Sequence, residues 1–267
     1  RELAFLNATF ETGIDNPLDA AIVAAGGRLG LVAEGYVKID EIPYDFIRKR
    51  LTIVVANAGD AARHLVITKG AVTNILAICD QYRSGETTSP LDAAARNRID
   101  AYTRDRGGEG FRVVAVATRR VAARSSYHHD DESAMTLEGF LLFFDPPKPT
   151  ASATIRDLAA LGIRTKLITG DNRHVARHVA KAIGLDPEAM LTGEAIAAMR
   201  DEALWQRAGQ VDLFVEVDPQ QKERIVRALQ KAGHAVGYLG GGINDAPPLR
   251  AADGGISVYE AGGGARG

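Results

Sequence analysis

A single cysteine, Cys79, among 267 residues leaves no partner for an internal disulfide, which excludes a cross-linked secreted scaffold and makes a reducing cytoplasm the expected compartment. Its neighbours in AVTNILAICDQY are apolar, so it reads as a small buried hydrophobe rather than a reactive thiol. Basic charge is also short: 32 Lys and Arg stand against 34 Asp and Glu, for a formal charge of −2. No field that would attract nucleic acid results. Nowhere does the sequence approach the roughly 18 consecutive apolar residues of a membrane-spanning helix, so no direct membrane insertion by this segment is expected. Position 1 is Arg rather than Met and no charged-then-apolar leader follows, which points to a segment of something longer. What is plentiful is apolar content, 46%, enough for two ordinary cores in a chain of this length.

The pattern changes near position 145. Before it, RLTIVVAN and RHLVITKG flank the turn residues Ala58, Gly59 and Asp60 and predict an antiparallel hairpin. A helix is expected from Ala71 to about Tyr82 and another from Pro90 to about Arg106, ended by Gly107 and Gly108, with FRVVAVATRR and EGFLLFFD as strands. Arg119 to Ala134 has no period and reads as a surface loop. Its His128, His129, Asp130 and Asp131 are expected to be solvated, because adjacent residues rarely converge on one ion. Asp145-Pro146-Pro147 then imposes a stiff, extended connection. The expected domains are therefore 1–144 and 145–258, with a glycine-rich tail, 259–267, expected to be disordered.

Beyond the boundary, strand and helix alternate. Thr150 opens a helix to Leu161, IRTKLI is a strand, and a helix to Ile183 closes at Gly184. VDLFVEV is the next strand, and Asp218, Pro219 and Gln221 form a capping box with proline at the first position, ahead of a helix ended by Gly233 and the strand HAVGYL. The fold class is α/β: an antiparallel-sheet α+β domain, then a doubly wound, Rossmann-like parallel sheet with ligands at the carboxyl ends of its strands.

Two strand ends of the second half deliver polar groups: Thr169, Gly170 and Asp171 from one, and the glycines, Asn244 and Asp245 of GYLGGGINDAPPL from the other. Hydroxyl, backbone N–H groups and carboxylates at helix N-termini suit a phosphoryl group with Mg²⁺. Singly, Asp171, Asn172, Asn244 and Asp245 could each be no more than helix caps. Lys222 sits in the first turn of the helix opened by Asp218, where the helix dipole disfavours a cation by about 0.3–1 kcal/mol. A role in anion binding would explain it; a lysine reaching past the helix end into water is the plainer alternative.

KLITGDN, FVEVDPQQKERIV and GYLGGGINDAPPLRAADGGISV, in that order, resemble the phosphorylation domain of P-type ATPases, and the wording is most similar to the magnesium-translocating branch. In the first half, Asp15-Asn16-Pro17-Leu18-Asp19, PYDFIRKR, Thr68-Lys69-Gly70-Ala71 and GFRVVAVA resemble that family's nucleotide-binding domain, and Asp145-Pro146-Pro147-Lys148 its hinge. The resemblance spans essentially the whole chain. It implies a HAD-like second domain, ATP and Mg²⁺ as cofactors, and an ion pump at the cytoplasmic face of the plasma membrane whose actuator domain and membrane helices are the partners of this segment. It places Phe46 on the adenine, Lys69 and Gly70 beside the nucleotide, Arg112 on the phosphates and Asp19 at the pocket wall. Thr169 and Gly170 become donors to the transferred phosphoryl group, Asp171 acts near the same centre, Lys222 stabilises the charge, and Asn244 and Asp245 order the metal and that lysine. On its own pattern Phe46 falls on the same alternating face as Ile42 and Tyr44 and reads as hairpin core.

The family forms an aspartyl-phosphate on an Asp-Lys-Thr-Gly sequence, and these 267 residues contain none. The second domain is thus expected to lack its first strand, and the segment alone to be inactive. Where the family carries a Mg²⁺-ligating aspartate, this sequence has Gly241, so no metal ligand is assigned. Rival readings are a nucleotide-binding regulatory module that does not hydrolyse ATP, a pump for Ca²⁺ or H⁺, and a soluble phosphatase of the related fold.

Overall fold

The computed structural model describes residues 1–13, 16–241 and 245–258. Asp15, Asn244 and the glycine-rich tail after Val258 lie outside the described residues. The chain divides into two compact units, Arg1–Asp105 with Val113–Phe143, and Arg106–Arg112 with Phe144–Gly267.

The expected hairpin is the centre of the first unit. β1 (Tyr36–Ile42), β2 (Arg50–Asn57) and β3 (Asp60–Ala71) pair antiparallel in succession, with Thr52 opposite Thr68 and Leu51 opposite Lys69. Alternate side chains of β2 enter different cores, which explains its unbroken apolar run. Leu51, Ile53 and Val55 pack with α1 (Glu2–Phe10) and Ile22 of α2 (Pro17–Arg28), whereas Val54 packs on the opposite face with Ile42, Val66 and Ile75. The completed sheet has seven strands. Its order is β1-β2-β3-β6-β7-β4-β5, where β4 is Cys79–Ser84, β5 is Thr87–Pro90, β6 is Phe111–Ala122 and β7 is Met135–Phe144.

The helix expected from Ala71 to Tyr82 is only one turn, α3 (Val72–Leu76). Cys79 then points into the core while Asp80 and Gln81 face out, and the segment runs as β4, parallel to β7 and turned at Gly85 (φ +62°) into β5. The sheet is therefore mainly antiparallel, with β4 and β7 running parallel. CDQYRS has no period-two alternation, its apolar Cys79 and Tyr82 being three apart, so nothing local marked it as a strand after the apolar run ahead of it. α4 (Ala93–Gly108) starts where Asp92 accepts from the Ala95 amide at 2.7 Å, and the chain reverses at Gly110 (φ +90°). The segment from 123 to 134 is not simply a surface loop, since Tyr127 and Glu132 are both buried. Within it, Asp131 accepts from the His128 amide and pairs with Arg124, so the His-Asp run is a capped 3-10 turn. Cys79 is buried as expected, and burial pushes its thiol up to about 12, leaving it protonated.

In the second unit, helices separate short parallel strands. β8 (Leu167–Ile168), β9 (Met190–Thr192) and β10 (Leu213–Val215) form one sheet in the order β8-β10-β9, around a core centred on Phe214. β11 (Gly237–Gly240) and β12 (Gly254–Ser257) form a separate parallel pair. The described strands thus make two sheets where a single doubly wound one was expected. β9, with α7 (Gly193–Ala198) and α8 (Asp201–Ala208) after it, was too short to register as a pattern. α5 (Ala151–Ala160) follows Thr150, whose side chain makes no capping bond, and α5 buries none of its residues. α6 (Arg173–Ile183) ends at Gly184 (φ +86°), and α9 (Pro219–Lys231) begins with the expected capping box. Among the described residues no helix is long and apolar enough to cross a membrane.

Candidate functional site

The first unit gathers an ionic cluster and an aromatic pair. Asn16 caps α2 by accepting from the Leu18 amide at 3.0 Å, Pro17 takes the first helical position, and the Asn16 amide donates to Asp19 at 3.0 Å. Asp19 so fixed meets Lys69, delivered from the centre of the sheet by β3. The two form a hydrogen-bonded ion pair, with Glu11 at 3.5 Å from the same ammonium. Lys69 is only 8% exposed, and burial lowers its pKa to about 8 against the opposing pull of Glu11. Asp19 acts in the same direction as Glu11, so the ammonium persists at neutral pH.

Gly70 has a steric reason to be glycine. A Cβ there would sit 2.5 Å from the Lys49 carbonyl oxygen and 2.7 Å from the Arg50 Cα. That close approach lets the Ala71 amide donate to the Lys49 carbonyl at 2.9 Å, tying the Lys69 strand to the segment that carries Phe46. Phe46 is not hairpin core: it is 42% exposed, on a turn between β1 and β2. Tyr44, which sequence reasoning did not select, stands edge-on to it with ring centroids 5.5 Å apart. The outward alternation of YDF was its signal.

In the second unit the loop after β8 is held by backbone. The Thr169 amide donates to the Phe214 carbonyl at 2.8 Å, the Val217 amide to Thr169 at 3.2 Å, and the Glu216 amide to Asp171 at 3.0 Å. Thr169 Oγ1 accepts from the Asp171 amide at 3.0 Å, and a Cβ on Gly170 would lie 3.2 Å from the Val217 carbonyl. Asn172 realises the capping alternative, accepting from the His174 amide at 2.8 Å. Asp171 does not; its carboxylate pairs with Arg112. Glu216, at φ +59°, was missed by sequence reasoning and accepts three bonds from Arg173, one from its amide at 3.1 Å and two from its guanidinium at 3.0 and 2.8 Å.

Lys222 donates to Asp245 at 2.7 Å, and the Tyr238 hydroxyl donates to the same oxygen at 2.9 Å. Asp245 stands at the N-cap position of α10 (Ala246–Ala251) yet makes no side-chain capping bond. Gly240 makes room for it, since a Cβ there would lie 2.7 Å from the Asp245 Cβ. Burial, then the bond to Asp245, raises the pKa of the Tyr238 phenol, keeping it a donor. The structure therefore joins Lys222 to Asp245, and Thr169, Gly170 and Asp171 to the strand end that precedes α9. Asn244 lies outside the described residues.

Among the described residues no three His, Cys, Asp or Glu side chains converge as a metal site would require. Gly241 offers no side-chain oxygen, and a Cβ there would lie 2.9 Å from the Val258 carbonyl oxygen. The residues present do not fit a Mg²⁺ held from position 241.

The sequence family described as "P-type ATPase, cytoplasmic domain N" matches residues 7–150, more than half of the chain. The chain belongs to the P-type ATPase family. It is similar to "Magnesium-transporting ATPase, P-type 1" of Salmonella typhimurium (strain 14028s / SGSC 2262), 42% identical over 258 residues, which are 96% of this chain and 28% of the relative. The protein of the same name from Escherichia coli (strain K12) gives the same identity and coverage. A "Calcium-transporting ATPase" of Bacillus subtilis (strain 168) is 30% identical over 250 residues, covering 91% of this chain and 28% of that protein. The P-type segment described here thus spans little more than a quarter of the length of these curated relatives.

Proposed function

We propose that this chain is the ATP-binding and phosphoryl-handling part of a magnesium-transporting P-type pump at the cytoplasmic face of the plasma membrane, working through an aspartyl-phosphate. The observation that carries the reading is Asp245: a carboxylate in a capping position that caps nothing and instead holds a lysine at the end of a parallel strand. Such a lysine, paired with a carboxylate that a phenol also holds, is suited to offset the charge of a phosphoryl group. In the first unit, Tyr44 and Phe46 are exposed rings that can stack on a base, and Lys69, Gly70 and Asp19 are read as the wall of the same pocket. Arg112 supplies a fork that can exchange Asp171 for phosphate oxygens.

The second unit is read as a HAD-like sheet without its first strand. β8 and β11 are each a sheet end with a single strand partner among the described residues, as that reading requires. With no Asp-Lys-Thr-Gly sequence present, the 267 residues bind nucleotide without turning it over. Magnesium enters as the transported ion; identities of 42% to magnesium and 30% to calcium transporters favour it over Ca²⁺. The actuator domain and membrane helices of the parent pump are the partners.

Titration of the chain with ATP, alongside a phosphate-release assay, tests this. Saturable binding weakened by Phe46→Ala and by Lys69→Gln, with no release of phosphate, is the expected result. Binding indifferent to both substitutions, or steady phosphate release, would remove it.

A further inference from the structure

Glu132 lies in the segment read from sequence as a solvated loop, yet its side chain is fully buried. Its carboxylate accepts from Arg48 Nη1 at 2.8 and 2.6 Å, from Arg50 Nε at 2.7 Å and from the Thr52 hydroxyl at 2.6 Å. Thr52 in turn bonds Thr68 at 2.8 Å, the residue before Lys69. One carboxylate thus touches the C-terminal flank of the turn that carries the aromatic pair and, through two threonines, the strand that carries the lysine.

Arg48 spans the turn itself. Its Nη2 donates to the Pro43 carbonyl at 2.7 Å, its Nε pairs with Asp45, and Asp45 accepts from the Ile47 and Arg48 amides at 2.8 and 2.6 Å. The turn has no anchor of its own in a core: no residue from 43 to 49 is buried, and Ile47 is 90% exposed. An exposed turn held by apolar packing would keep its place without Glu132; this one is held by ionic hydrogen bonds that converge on it. Desolvated charge pairs of this kind are geometrically exacting.

We propose that Glu132 is a positioning residue for nucleotide binding, acting through Arg48 to fix the Tyr44–Phe46 turn at its distance from Lys69. The proposal rests on the nucleotide-binding reading of Phe46 and Lys69. A purely stabilising buried ion cluster would lower the melting temperature without coupling to Phe46. A positioning residue loses its effect on binding once the ring it positions is gone.

The test is a double-mutant cycle on the full 267-residue chain, with ATP affinity measured for wild type, Glu132→Gln, Phe46→Ala and the double variant. Glu132→Gln is expected to weaken ATP by about fivefold, and to add little when Phe46 is already Ala, as coupled sites do. Amide exchange at residues 45–49 should accelerate in Glu132→Gln while that of β2 and β3 stays unchanged. If Glu132→Gln does not fold, Arg48→Gln carries the same cycle, because Arg50 and Thr52 still satisfy Glu132. Additive losses, or unchanged exchange at 45–49, overturn the proposal. Failure of the wild-type chain to bind ATP overturns the nucleotide reading instead, and the exchange arm then decides by itself whether Glu132 holds the turn.

Discussion

The two candidate sites use similar chemistry on unlike foundations. In the first unit Lys69 meets Asp19 at the centre of a seven-stranded sheet buried on both faces. In the second, Lys222 meets Asp245 beside a two-stranded sheet whose outward pair, Leu239 and Ile256, is 65% and 60% exposed. A lysine–aspartate pair is therefore pre-set by a closed scaffold in one case and by a few local bonds in the other. The lesson is that the first unit should keep its geometry by itself, whereas the second depends on packing that short parallel strands supply poorly.

The largest expected effect separates the two cores. Ile53 and Phe214 are both fully buried, one in each unit. Ile53→Ala should cost about 2–5 kcal/mol and Phe214→Ala about 3–5 kcal/mol. If the foundations differ as described, urea unfolding shows two transitions, the second unit melting first, and each substitution moves only its own. A single transition shifted equally by both variants would show that the units fold as one and erase the contrast.

Glycine substitution sharpens it further. A methyl at Gly70 would collide with backbone atoms of Lys49 and Arg50, which cannot swing aside. Gly70→Ala should therefore cost about 1–3 kcal/mol and weaken ATP by spreading β3 from the aromatic turn. In the second unit, a methyl at Gly254 meets nothing within 4 Å, so Gly254→Ala should change stability by less than about 0.5 kcal/mol. Equal losses in a chemical denaturation series would mean that the tight contact at Gly70 has no energetic weight.

How far the sequence revealed these sites follows from which forces act locally. The capping box at Asp218, Pro219 and Gln221 depends on neighbours three residues apart, and it was legible. So was the β2–β3 hairpin, because its turn residues and alternation are local. Glu132 was not, because what buries it is Arg48 and Arg50, more than eighty positions away. β4 was lost for a related reason: its pairing with β7 joins residues more than fifty positions apart, while the apolar run before it looked helical. Asp245 read on its own pattern as a possible cap and, through the family resemblance, as a partner of the metal and Lys222; the bond from Tyr238 to the same oxygen came only with the three-dimensional placement. The family resemblance supplied the residue types of both sites but neither Tyr44 nor Tyr238.

The last expected effect concerns protonation, and it turns on the depth of the first site. Lys69 titrates at about 8 because it is buried, below the ordinary lysine value of 10.5. Between those two values the unfolded chain binds more protons at this position than the folded one, so stability gained from Lys69 rises with pH across that window. Affinity for a polyphosphate should run the other way, falling as pH climbs through about 8 and the ammonium is lost. Both slopes are read as differences between wild type and Lys69→Met, which removes the proton and keeps much of the stem. The expected change in ATP affinity is about tenfold at most, equivalent to one unit of pKa. Parallel curves for the two proteins from pH 7 to 10 would mean that Lys69 keeps its charge throughout, held by Asp19 more firmly than burial opposes it.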